Sequence, residues 1–452
     1  MDTDDENLIV NRIVRHMGNA SDVHTYRMSN GRFSVHIIYI QSVVDSALVH
    51  ERIAEPFLKA DSFEAFVRGL AADGAEKISD IGSLPQLVTE GNAVIVSYNE
   101  VYTLQVVKPI NDVPQGTQTE NTILGPQRSL TEDLQTNLGI IRKRYAKPRL
   151  NVEQHIVGDN SKTKLLLVFD EDRAKPTVIE ELRGRLKSVR VDVLQEAGQL
   201  QKLLNGQRFS LFPVMMITER PDRVVMNLAQ GKIVILMQGT PFALILPAVF
   251  YDFMAAMDDL YHSFWLTRML LLLRYTALFA TMMLPALYVA IVSYNPEIFR
   301  VQLTLSIAGS RAAVPYPSYV EVLIMLFMIE SLIEASLRLP KFIGSTATTV
   351  GGLILGQAAQ QAGLVSSIMI IITSAVAIAN FVIPINAMSF AMRFVKYVLI
   401  VFAAMFGVIG IMVGVFLVIT LLVRLRSYGE PYLRLYIGER KVNFPEQAGD
   451  PG

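Results

Sequence analysis

The chain has 452 residues, 51% of them hydrophobic, with 41 basic and 41 acidic side chains and no cysteine. That combination is too long for one domain and too apolar for an ordinary soluble protein, which implies a chain part soluble and part membrane. Lack of cysteine excludes disulfides, thiolate nucleophiles and Cys-based zinc or iron–sulfur sites, and a net charge of zero gives no footprint for nucleic acid.

The start, MDTDDENLIV, has no basic region leading into an apolar one, so no cleaved signal peptide is expected and the N-terminal part is expected in the cytoplasm. Residues 1–110 read as a small α/β subdomain: a helix over Glu6–Met17, a strand over Ser34–Ile40, an amphipathic helix over Ser46–Leu58, and the strands NAVIVSY and VYTLQVV. NDVPQGTQTENTILG is rich in turn residues and aperiodic, which makes 111–128 a linker. A second α/β subdomain is expected over 129–240, where strand-like TKLLLVFD, PVMMITE and KIVILMQG alternate with helical PTVIEELRGRLK, GQLQKLLN and PDRVVMNLAQ.

No enzyme motif accompanies these elements. GDNSKTK lacks the glycine before the lysine of a phosphate loop and precedes its strand, and no GxSxG, EF-hand loop or dinucleotide fingerprint is present. None of the six histidines forms an HxxxH or HExxH pair, so His36 and His155 read as strand surface residues and neither a metal nor a cofactor is expected.

A helical membrane domain is expected over 241–423. TPFALILPAVF is too short to span and reads as re-entrant or interfacial; Met269–Ser293 is the first full span, kinked at Pro285. Residues 296–317 hold an amphipathic piece and the Pro315-Tyr316-Pro317 turn. Ser318–Leu337 is the next span and carries Glu321, Glu330 and Glu334. Glu334 and Arg338 are one turn apart and form a candidate ion pair, whereas Glu330 has no cation a turn before it and is the candidate for lining a cation route.

Phe342–Met392 contains no charge at all, and at 1.5 Å per residue it extends roughly 75 Å, more than one crossing. Its second half, LVSSIMIIITSAVAIANFVIPI, reads as a span. In its first half Ser345, Thr349, Gly352, Gly356 and Gln360 recur at steps of three and four on one helical face. Two readings stay open: a packing seam built on the GxxxG step Gly352/Gly356, or a helix facing a water path that Val350 and Leu353 could constrict. Tyr397–Val423 is the last span, with a second GxxxG at Gly410 and Gly414. The basic tail 424–452, with Arg424, Arg426, Arg434, Arg440 and Lys441, is expected inside. With both ends inside the number of crossings is even, and four is the expectation.

Several blocks in collinear order resemble the A subunit of the GerA family of spore germinant receptors: ILGPQRSLTEDLQTNLGIIRKR, TERPDRVVMNLAQGKIVILMQGTPFALILP, SIAGSRAAVPYP, EASLRLPKFIGSTATTVGGLILGQAAQQAGLVSS and LRSYGEPYL. The likeness covers roughly residues 110–435; it departs from the family pattern at Ala312, Ala313 and Ser367. It implies a receptor subunit in the inner membrane of a bacterial endospore, acting with a transporter-like B subunit and a lipoprotein C subunit. It also implies a homo-oligomer around a germinant-gated path for monovalent cations. The rival is a non-conducting signalling scaffold. A secondary transporter would carry internal repeats, and the membrane half contains none.

Overall fold

A computed structural model describes residues 2–433 apart from 19, 98–99, 109–115, 118, 121, 123–124, 207–209 and 340; the side chains of 2–8, 337 and 341–348 also fall outside the description. Arg434, Arg440 and Lys441 of the expected tail therefore lie outside it.

In the first subdomain, β1 (Val23–Ser29), β2 (Ser34–Ile40), β3 (Glu76–Ile78), β4 (Asn92–Ser97) and β5 (Glu100–Gln105) form an antiparallel sheet in the order β1-β2-β4-β5-β3. Helices lie against it: α1 (Asp2–His16), α2 (Ser46–Val49) running through a π turn at His50–Ala54 into α3 (Glu55–Lys59), α4 (Phe63–Ala72) and α5 (Leu84–Thr89). Alternate residues of β2 enter two cores, Val35 and Ile37 with Phe57 and Phe66, Ile38 and Ile40 with Ile13 and Leu84. A strand covered on both faces has no polar side to show, hence SVHIIYI.

α6 (Leu134–Arg144) leads into the second subdomain: β6 (Leu150–Val157), β7 (Thr163–Asp170), α7 (Pro176–Ser188), α8 (Ala197–Leu204), β8 (Met216–Thr218), α9 (Pro221–Ala229), β9 (Ile233–Met237) and β10 (Ala243–Leu246). The sheet order is β6-β7-β9-β10-β8 with every pair antiparallel. GDNSKTK is the β6–β7 hairpin turn. β10 corrects the re-entrant reading of TPFALILPAVF and moves the end of this subdomain past 241, because all four strand residues are buried between β9 and β8. Sequence could not separate the two, since a short apolar run looks alike in a buried strand and in lipid.

The subdomains are pinned by a buried pair. Arg142 on α6 donates to both oxygens of Asp22, at 3.0 and 2.7 Å, and Ser42 Oγ donates to the same carboxylate at 2.9 Å. One turn earlier a Cβ on Gly139 would sit 2.5 Å from the Ser42 carbonyl oxygen, so only glycine lets α6 approach that turn.

Beyond Phe264 the chain is helical: α10 (Phe264–Tyr294), α11 (Val301–Arg311), α12 (Ser318–Leu337), α13 (Lys341–Gln361), α14 (Ser367–Val382) and α15 (Asn386–Arg424). Two of them, α10 and α15, are long and apolar enough to cross a membrane by length and composition. α15 is not one rod. Gly407 has φ 61° and ψ −139°, and Cβ atoms on Gly410 and Gly414 would lie 2.0 Å from Phe402 O and 2.5 Å from Leu399 Cδ2. In a straight helix Leu399 and Gly414 would be ~22 Å apart. The arms 386–406 and 408–424 therefore fold back on each other, and this hairpin replaces the single last span expected over Tyr397–Val423. Gly410 and Gly414 form its seam, because only glycine lets the two backbones come so close.

The hairpin tip rests on Tyr294, whose Oη donates to Ala404 O at 2.6 Å. Ser293 meets Ser318, Leu332 faces Gly351 and Gly352, Glu321 meets Ser366, and Asn380 meets Ser389. These contacts fix alternating directions for α10, α12, α13, α14 and the two arms, six long passes among the described residues. Four were expected; the split of the charge-free stretch into α13 and α14, and the hairpin, account for the difference. An even number returns the chain to the α/β side, where Ser427 Oγ donates to Val214 O at 2.7 Å and Phe250 N donates to Tyr432 O at 3.1 Å.

Candidate functional site

A carboxylate on an apolar helix has to find donors or a cation. On α12, Glu321 is fully buried and accepts from Ser366 N at 2.7 Å, Ser366 Oγ at 2.6 Å and Tyr288 Oη at 3.1 Å, with Arg311 Nε at 3.3 Å. It ties α10, α11, α12 and α14 together at the end remote from the α/β subdomains. Glu334 accepts from Arg338 at 2.7 Å, and both side chains are exposed, a geometry worth little in stability.

Glu330 is not the unneutralised acid expected from its helix. Arg393 Nη1 lies 3.0 Å and Lys396 Nζ 3.1 Å from its two oxygens, and Lys396 is only 3% exposed. Arg393 and Lys396 are one turn apart on the first arm of the hairpin, so both reach one carboxylate and leave the cluster with a surplus positive charge. Local spacing hid this, because the partners are 63 and 66 residues away in sequence. The only sequence signal was the pair of cations itself, at the end of the charge-free stretch.

α13 packs chiefly on α12. A Cβ on Gly351 would be 3.2 Å from Leu332 Cδ1 and one on Gly352 3.5 Å from Cδ2, so the seam centres on these two glycines; Gly356 is buried but has nothing within 4 Å of a Cβ. Thr349, Val350, Leu353 and Gln360 are exposed, Leu353 by 62%, and Gln360 Nε2 donates to Ser367 Oγ at 3.0 Å. The side chain of Ser345 lies outside the described residues. The expected polar face is thus divided: Gly352 meets α12, while Thr349 and Gln360 share the outward surface with Val350 and Leu353.

A further cluster lies in the block TERPD, whose side chains residue spacing did not single out. Fully buried Arg220 donates to Glu120 O at 3.1 Å, Thr122 Oγ1 at 2.7 Å, Pro126 O at 3.0 Å and Asp222 Oδ2 at 2.7 Å. Arg223 donates to Glu120 Oε2 at 2.7 Å and to Ala255 O at 3.3 Å; Glu219 accepts from Thr119 N at 2.5 Å and Thr119 Oγ1 at 2.9 Å. The linker is thereby clamped to α9 and to the segment before α10. There Asp259 meets Arg274 of α10 at 2.5 and 2.8 Å.

Fold and clusters together define a two-part protein, an α/β headpiece joined to a bundle of apolar helices through the buried Arg274–Asp259 pair and the hydrogen bonds of Ser427 and Tyr432. The family described as Bacillus/Clostridium GerA spore germination protein matches residues 11–445. Spore germination protein B1 of Bacillus subtilis is 34% identical over 91% of this chain and 86% of its own; spore germination protein GerLA of Bacillus cereus is 38% identical over 70% of this chain and 64% of its own. The chain belongs to the GerA family, the A subunits of spore germinant receptors. A crystal structure of the N-terminal domain of the A subunit of the Bacillus megaterium spore germinant receptor GerK3 shares 26% identity, covering 53% of this chain and 94% of that one with a TM-score of 0.42.

Proposed function

We propose that this chain is the A subunit of a nutrient germinant receptor in the inner membrane of a bacterial endospore, and that copies assemble around a germinant-gated path for monovalent cations. The α/β subdomains lie in the cytoplasm and the helical passes cross the bilayer. The observation that carries the reading is the outward face of α13, where Thr349, Val350, Leu353 and Gln360 are exposed. Closed around by neighbouring copies, hydroxyls and amides of such a face would meet water while the apolar pair would constrict it by dewetting. Exposed Phe327, Ile409 and Phe416 on the bundle surface support a lipid setting, since apolar belts of that extent are unfavourable in water. Arg424 and Arg426, at the end of the last pass, favour the cytoplasm on that side.

A transporter-like B subunit and a lipoprotein C subunit are the partners implied by the family, and germinant binding in the complex would bias a closed-to-open equilibrium by differential affinity. Glu330, neutralised by two cations, acts as a pin between α12 and the hairpin. The second reading, a non-conducting scaffold, is favoured by that same neutralisation, which leaves α12 without a free acid at that level.

Cation flux from liposomes holding the chain with its partners, before and after germinant, tests the proposal. Thr349→Leu should reduce or abolish triggered flux with assembly intact, while Glu330→Gln should weaken assembly and flux together. Flux indifferent to Thr349→Leu in an assembled receptor would leave the scaffold reading standing.

A further inference from the structure

α10 carries an outward stripe at helical spacing, Trp265, Met269, Leu272, Thr276 and Phe279, all exposed. Trp265 heads it, 81% exposed, with the Phe264 ring 5.7 Å away edge-on and the Arg268 guanidinium 5.1 Å from the Phe264 centroid. Arg268 has no ion-pair partner among the described residues, and Arg274, the next cation along α10, turns inward to Asp259. Along the axis the stripe therefore passes from an aromatic–cation cluster to uncharged side chains, apolar except for Thr276, whose hydroxyl donates back to Leu273 O.

Length places that cluster. At 1.5 Å per residue α10 is ~46 Å long, close to the ~40–45 Å of a bilayer with its headgroup layers and well beyond the ~30 Å of hydrocarbon alone. The hairpin arms, ~32 and ~26 Å by the same rise, start from a tip docked on Tyr294 and end short of the first turns of α10. Those turns overhang the hydrocarbon on the α/β side, with Tyr294 exposed at the opposite end. Indole and phenyl rings with a polar or cationic neighbour settle in the headgroup layer.

We infer that Phe264, Trp265 and Arg268 form a lipid-headgroup anchor, with Arg268 taking the phosphate of an anionic phospholipid in the leaflet that faces the α/β subdomains. The unpaired charge of Arg268 selects this occupant over a second copy or another subunit, which would have to bring a carboxylate to it. Arg424 and Arg426, exposed and without ion-pair partners among the described residues at the same end of the bundle, add positive charge towards that leaflet. The inference rests on the membrane reading above.

Trp265 is the single tryptophan of the chain, so its fluorescence reports the anchor directly. The full chain is reconstituted in phosphatidylcholine vesicles with and without phosphatidylglycerol, and quenching is read with a headgroup spin label and with lipids brominated deep in the acyl chain. The expected result is strong quenching by the headgroup label, weak quenching by deep bromines, and a difference between anionic and neutral vesicles that Arg268→Gln abolishes. Emission insensitive to both lipid quenchers, whether it is reached by acrylamide or shielded by protein, overturns the inference, as does a response of Arg268→Gln equal to that of the wild type. A Trp265→Phe/Phe279→Trp variant separates this from the membrane reading. Deep quenching at position 279 alongside no quenching by either lipid probe at 265 sinks only the anchor; no lipid quenching at either position sinks the bilayer crossing too.

Discussion

The α/β headpiece and the helical bundle both bury charge, each in one-to-one pairs and in an acid that two cations share: Lys147 and Arg173 lie 3.0 and 3.7 Å from buried Asp170 in the headpiece, and Arg311 alone faces Glu321 in the bundle. In the headpiece Arg142 faces Asp22, Arg220 faces Asp222 and Arg223 faces Glu120, one cation to one carboxylate, and the first and third pairs join segments distant in sequence. In the bundle two cations converge on Glu330. A one-to-one pair can be deleted as a unit at modest loss, whereas removing the shared acid leaves two cations to be solvated at once. The regions use glycine differently: Gly139 admits a neighbouring turn of the headpiece, while Gly410 and Gly414 admit the other arm of their own helix.

The strongest break of this comparison is Gly410→Leu. Its Cβ would lie 2.0 Å from a backbone oxygen that cannot swing away, so the hairpin should fail to close and the loss should exceed the ~1–3 kcal/mol of ordinary overpacking. Gly356→Ala, with open space at its Cβ, should be near neutral. Thermal unfolding of the two variants in detergent checks both, and equal stabilities would contradict the folded-back arms.

Next is Arg142→Ala, which strands Asp22 in the core and should destabilise by ~3–5 kcal/mol, with much of the loss recovered when Asp22→Ala is added. Chemical unfolding of both variants reads the recovery; strictly additive losses would mean that the pair is not coupled. Glu330→Gln should cost about 2 kcal/mol, less because Glu330 is itself 25% exposed on its side chain and water can reach Arg393. Adding Lys396→Met should restore part of it, which would identify the surplus cation as the source.

The smallest effect is a pH dependence in the headpiece. His155, then Arg183, hold the Glu153 carboxylate down to about 2 from its usual 4.5, against the upward push of burial. A depressed acid contributes its stability above the unfolded value and loses it as pH falls from about 4.5 to about 2, here about 1 kcal/mol at a partly solvated site. Glu153→Gln should flatten the stability profile over that window and leave the rest unchanged.

Much was legible in the sequence, because periodicity is a local property. Strand β2, the helix opened by Pro221 and Asp222 and the long apolar helices follow from spacing that any folded context must respect. Residue spacing also put Glu334 within reach of Arg338. Tertiary structure decided the rest. Whether ALIL is a strand in a sheet or a segment in lipid depends on what covers it. Whether Glu330 is a free acid depends on residues more than sixty positions away, and whether 386–424 is one rod or two depends on the backbone angles of Gly407. Sequence by itself determined which segments are helical, apolar or charged, since those are properties of each residue and its near neighbours. The fold alone determined which charges meet and where a helix turns back, since these depend on contacts that exist only after distant segments have packed.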